Sequence, residues 1–183
     1  MPPTTLRLAR TNAEAHLYMD LHPCACGERR FARQSSVVTI DGDLASRYTG
    51  ACARCGTPRV FEFRLPPEIL QPPATGVVYG GAEPSELLDP GEWLSVADDY
   101  ARSVPVGTKL DGDALRSARQ RLAVAIAALD EIRKFAPPGA VEVPPSAFTT
   151  PFGRAMWDKE PGRFRLIRLD AVRTAYAQAA ERL

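Results

Sequence analysis

Apolar and polar positions along the chain change their spacing twice. Ala13, Leu17 and Leu21 fall on one side of AEAHLYMDL, flanked by Met19 or Tyr18. That is a helical spacing, which Asn12 is placed to cap and Pro23 to stop. Between residues 35 and 65 the pattern turns to alternation. SSVVTI and LASRYTG predict strands on either side of Asp41-Gly42, a residue pair that closes hairpins. RVFEFRL predicts a third strand, with Val60, Phe61, Phe63 and Leu65 set imperfectly against Arg59, Glu62 and Arg64. Pro66-Pro67 and Pro72-Pro73 then interrupt the chain, and VVYGG beyond them is either one short strand or a connector.

From Pro84 onward the spacing is helical. Asp89 stands as an N-cap, Pro90 at the first helical position and Glu92 at the capping-box position. They precede a stripe of Trp93, Ala97, Tyr100, Ala101 and Val104. Leu115, Ala118, Leu122, Ile126, Leu129 and Ile132 mark the longest helix, which Pro137-Pro138-Gly139 ends. A short helix from Thr150-Pro151 to Lys159 is expected next. A last one carries Leu166, Leu169, Val172, Tyr176, Ala180 and Leu183 in register.

Composition narrows the class. The chain has 183 residues, 45% hydrophobic and 25% charged, with a formal net charge of +1, which is the profile of a folded domain with no bulk attraction to nucleic acid or membrane. Arginine outnumbers lysine 20 to 3, a bias that a GC-rich coding sequence produces, so arginine identity alone does not argue for phosphate binding. The start of the chain lacks the basic and apolar run of a signal peptide, and the longest apolar run, Leu122 to Leu129, is too short to span a bilayer. The expected compartment is the cytoplasm, where disulfides rarely persist.

Against that background the four cysteines carry the clearest chemistry. Cys24 and Cys26 form a C-x-C-G pair, and Cys52 and Cys55 a C-x-x-C-G pair. A metal that takes four tetrahedral thiolates needs two such pairs, each on a tight turn, and a hairpin between them can bring the turns together. The glycine after each pair permits the backbone such a knuckle requires. The pattern resembles the zinc ribbon, and the resemblance implies a structural Zn²⁺ held by Cys24, Cys26, Cys52 and Cys55. The first pair is one residue shorter than the common form, which leaves open whether His22 replaces Cys24. The fold class expected is therefore α+β, a small zinc-ribbon-like β element attached to a mainly helical body. Residues 1–183 are taken as a single domain, with 22–65 as the ribbon-like subdomain and 84–183 as the helical body.

Charge is unevenly spread. Residues 24–65 carry seven arginines against four acids, an excess that a four-thiolate zinc site of net charge −2 largely offsets. Residues 83–113 carry eight acids against Arg102 and Lys109, whereas residues 154–173 lean basic. Such segregation suits either pairing within the fold or a partner interface. No nucleophile elbow, H-E-x-x-H, phosphate loop or dinucleotide fingerprint occurs.

The stretches EAHLYMDLHPCACG, GGAEPSELLDPGEWL and EPGRFRLIRLDAV together resemble a bacterial family whose members tend to be encoded near polymorphic toxins. The resemblance implies an immunity protein: a non-enzymatic, zinc-stabilised module that binds a toxin domain through an acidic helical surface. Glu83, Glu86, Glu92, Asp98 and Asp99 are the candidate contacts. Trp93 or Tyr100 would anchor the partner if exposed, although Trp93 is expected in the core. Two alternatives stand beside it: a nucleic-acid-binding ribbon acting through Arg29, Arg30, Arg33 and Arg54, and an enzyme with an unrecognised pocket. No membrane partner is expected.

Overall fold

A computed structural model describes residues 6–68, 70–71, 76–105, 107 and 110–183, so the break expected at Pro72-Pro73 lies outside the described residues. The fold is α+β. Its described elements run α1 (Asn12–Leu21), β1 (Gln34–Ile40), β2 (Asp43–Ala51), β3 (Pro58–Arg64), α2 (Pro90–Arg102), α3 (Gly112–Arg133), α4 (Pro151–Lys159) and α5 (Leu166–Arg182), with short 3-10 turns at Pro145–Ala147 and Pro161–Phe164. The chain divides into two units, Met1–Gln71 with Ser85–Leu87, and Pro72–Pro84 with Leu88–Leu183. The expected ribbon-like segment lies inside the first unit and most of the helical body inside the second.

In the first unit the three strands form an antiparallel meander in the order β1-β2-β3. Asp41 and Gly42 both take positive φ, 52° and 93°, and pair Ile40 with Asp43 across a two-residue loop of the type whose twist matches the strands. The β2–β3 register sets Ser46 opposite Phe63 and Tyr48 opposite Phe61, so one face of the sheet is aromatic. Helix α1 covers that face. The Tyr18 ring stands edge-on to Phe63 at 5.5 Å, His16 is edge-on to Tyr48 at 5.4 Å, and Met19 is fully buried.

The cap of α1 differs from the sequence expectation. Thr11, not Asn12, is the N-cap, its hydroxyl accepting from the Glu14 amide at 3.1 Å. Asn12 is already helical, and its amide oxygen accepts from the Tyr48 hydroxyl at 2.9 Å. Thr11-x-x-Glu14 is a capping-box spacing, which was the signal for the right residue. Glu14 is also fully buried and ion-paired with buried Arg10 at 2.6 Å, and its carboxylate accepts from the Ser85 hydroxyl at 2.6 Å, tying residue 85 to the first unit.

In the second unit α3 packs against both α2 and α5, and α4 against α2. Trp93, Leu129, Ile132, Val143, Phe148 and Phe164 are the fully buried centre. VVYGG forms no strand; it is a connector that lays Tyr79 on Trp93 at 4.8 Å.

The capping box of α2 holds as expected, and Asp89 does more than cap. Its Oδ1 accepts from the amides of Gly91 and Glu92 at 2.9 and 3.1 Å. Its Oδ2 accepts from the amides of Thr149 and Thr150 at 3.1 and 2.8 Å and from the Thr150 hydroxyl at 2.8 Å. Thr150 is itself the N-cap of α4. One buried carboxylate thus binds two helix N-termini, where the aligned backbone dipoles favour negative charge. Gly153 makes room for it, since a Cβ there would collide with the Asp89 carboxylate.

Candidate metal centre

The first cysteine pair lies in the chain before β1 and the second in the turn between β2 and β3, and the antiparallel pairing of β1 with β2 brings both to the same end of that hairpin. Phe31 forms an antiparallel bridge with Cys52 and Ala53 N–H donates to the Arg30 carbonyl, so the chain leaving the first pair runs against the chain entering the second. Each pair is a knuckle with the same hydrogen-bond pattern. In the first, Gly27 N–H donates to the Cys24 carbonyl at 2.7 Å and Cys24 N–H to the Glu28 carbonyl at 2.9 Å. In the second, Gly56 N–H donates to the Cys52 carbonyl and Cys52 N–H to the Thr57 carbonyl, both at 2.9 Å. The shorter C-x-C loop is the same turn with one residue removed. Both turns depend on glycine at positive φ, 84° at Gly27 and 72° at Gly56.

The four sulfurs converge. All lie within 4.8 Å of one another, and Cys24 to Cys55 and Cys26 to Cys52 are each 3.6 Å apart. A disulfide needs about 2.05 Å, so these are thiols. A tetrahedron with metal–sulfur bonds of about 2.3 Å has edges of about 3.8 Å, close to the 3.6 Å of these two pairs. The residues fit a four-thiolate metal ion. Among the described residues no other group of three or more His, Cys, Asp or Glu side chains converges this way.

Cys24 is a member of the cluster, whereas His22 is turned onto α1. Its ring stacks on Tyr18 at 3.9 Å and its Nδ1 lies 2.8 Å from the Tyr18 carbonyl. Burial holds its pKa below the ordinary histidine value.

The knuckles also direct amides at sulfur. The Thr57 hydroxyl, 3.2 Å from Cys55 Sγ, and then the Thr57 amide hold the Cys55 thiol down to about 6. Cys52 is lowered by the amides of Cys55 and Arg54. Cys26 behaves oppositely: the Glu28 amide favours its thiolate, but desolvation and the three neighbouring sulfurs outweigh that and push it up to about 11. Four thiolates this close cannot all ionise without a cation among them. Thr57 was absent from the sequence expectation; its place directly after C-x-x-C-G is the signal that marks it.

The arginines around the cluster are largely engaged inside the unit. Arg54 donates to the Cys26 carbonyl at 3.1 Å, Arg47 pairs with Glu62 at 2.7 Å, and Arg33 pairs with Asp20. Arg59 is buried against the rings of Phe31 and Phe61 and donates to the His22 carbonyl. Arg30 pairs with Glu28 at 3.2 Å and is exposed, as is Arg29.

The five acids proposed from sequence divide between the units. Glu86, in the first, pairs with Arg64 at 2.9 Å and accepts from the Leu8 amide at 2.7 Å. In the second, Glu92 accepts from the Asp89 amide in the capping box, and Asp98 pairs with Arg163 at 2.7 Å. Asp99 pairs with Arg102 on the helix surface, and Glu83 is exposed. Trp93 is fully buried, while Tyr100 is partly exposed. A pocket of about 280 Å³ in the second unit is lined by Pro145, Ser146, Phe148, Arg154, Trp157 and Asp158. Among the described residues no helix is long and apolar enough to cross a membrane.

Comparison with known protein families, with curated proteins and with solved structures finds no match to the chain.

Proposed function

We propose that Cys24, Cys26, Cys52 and Cys55 hold one structural Zn²⁺, and that the protein is a non-enzymatic, zinc-stabilised binding module that neutralises a bacterial toxin. The observation that carries the first part is the convergence of four thiols at tetrahedral spacing on two matched knuckles. Four thiolates fill the coordination sphere of zinc and leave no position for substrate or water, the arrangement of a structural and not a catalytic site. Two short turns with no helix at the cysteines favour zinc over a thioredoxin-like redox role. Zinc bound there supplies folding free energy to the β segment.

The toxin partner rests on the family resemblance, and two features agree with it. The engagement of Arg33, Arg47, Arg54 and Arg59 within the unit favours a protein partner over nucleic acid. In the helical unit the candidate acids that stand exposed are Glu83 and Asp99, with Tyr100 beside Asp99, and the acidic contact is placed on them.

Elemental analysis tests the metal. Protein prepared without added zinc should carry one equivalent, and Cys55→Ser should lose most of it together with the cooperative unfolding of the β segment. Less than about half an equivalent in the parent protein overturns the assignment. Capture from the native cell, read by mass spectrometry, tests the partner: a stoichiometric toxin encoded beside it is expected. Steeply salt-dependent binding to DNA or RNA that falls with Arg29→Ala and Arg30→Ala would point to the nucleic-acid reading instead.

A further inference from the structure

The two edges of the sheet are protected very differently. β3 begins at Pro58 and carries Arg59, Glu62 and Arg64. Its far end is bridged by residues 7–9: Ala9 N–H donates to the Arg64 carbonyl, and Arg64 N–H to the Arg7 carbonyl. Such prolines, charges and covering segments are the usual means of keeping an edge from pairing with another chain. Among the described residues, β1, the opposite edge, has none of them. Its sequence QSSVVTI contains no charge, proline or glycine, five of its seven residues are exposed, and Val37 is 66% exposed.

The hairpin fixes which backbone groups face outward. In a two-residue loop with both φ values positive, the closing pair, here Ile40 and Asp43, exchanges both hydrogen bonds. Alternation along β1 then turns Gln34, Ser36, Val38 and Ile40 inward to β2. Ser35, Val37 and Thr39 are left with their N–H and C=O groups pointing away from the sheet.

We propose that β1 is a homodimer interface, in which two copies pair antiparallel about Val37. Setting Val37 opposite Val37 of the second copy places Ser35 opposite Thr39 and forms about six main-chain hydrogen bonds between the outward groups. The two-fold requirement that the strand be complementary to itself is met. The paired residues are hydroxyl with hydroxyl and valine with valine, and no like charges meet. The flanking charges, Arg33 and Asp41, stand equally far from Val37 and have opposite sign. The sheet becomes six-stranded, and the exposed Val37 side chains cover each other.

Sedimentation velocity on zinc-loaded full-length protein across a concentration series tests this. A monomer–dimer equilibrium is expected, with Val37→Lys raising the dissociation constant more than about tenfold because two like charges then meet at the two-fold axis. Val60→Lys, at a site 59% exposed on β3, should leave the dimer intact. Zinc content and circular dichroism of both variants verify that the fold is retained. A monomer at all concentrations, a dimer indifferent to Val37→Lys, or a dimer lost equally in Val60→Lys overturns the proposal. So does protection of the β1 amides from hydrogen exchange only when a foreign protein is added.

Discussion

At the scale of single residues, two buried carboxylates decide more than any exposed acid does. Asp89 accepts five hydrogen bonds from two helix starts. Asp89→Asn would keep an oxygen for Gly91 and Glu92 but face the Thr149 and Thr150 donors with an amide. Urea unfolding should show a loss of about 3 kcal/mol, taken from the helical unit. Glu14→Gln should lose a similar amount, about 3 kcal/mol, because the buried Arg10 would lose the charge of the carboxylate it pairs with. Tyrosine fluorescence or exchange protection of α1 would place that loss in the first unit. Neither role was visible in the order of residues. A glutamate within an apolar helical stretch reads as surface, and the partners Ser85 and Thr150 lie 71 and 61 residues away.

At the scale of elements, legibility followed the range of the forces involved. The Asp89 cap, the Asp41-Gly42 turn and the helix start at Thr150-Pro151 are set by neighbours within a turn, and each stands where the pattern put it. The α1 cap was displaced by one residue because Thr11 and Asn12 are both capping types, and only the Glu14 spacing separates them. The knuckles were legible for the same local reason: a cysteine pair followed by glycine specifies its own turn. What the spacing left open was the first ligand. That Cys24 joins the sulfurs follows from the turn itself, which keeps the hydrogen-bond pattern of the longer knuckle while dropping one residue. α5 shows the reverse: its apolar positions are in register as expected, yet Leu169 alone among them is fully enclosed, with α5 packing mainly against α3 and the turn at Pro161–Phe164.

At the scale of the whole molecule, the uneven charge along the chain finds much of its explanation inside the units. Asp98 of the acidic stretch pairs with Arg163 of the basic one, while Arg173 of the basic stretch pairs with Asp130 of α3, outside the acidic stretch. Sequence alone could not separate such internal pairing from a partner surface, since both produce the same segregation. The Asp89 carboxylate has one more consequence, in the order of folding. Helix α2 can begin on its own cap, but three of the five donors to that cap arrive with residues 149 and 150, after α3 has been laid down. Closing so long a loop costs entropy before the contact returns it. The α2–α4 junction should therefore form after the folding barrier is crossed. Stopped-flow measurements on Thr150→Ala should show faster unfolding and a nearly unchanged refolding rate, the mark of a clasp that fastens last and sets how long the native state persists.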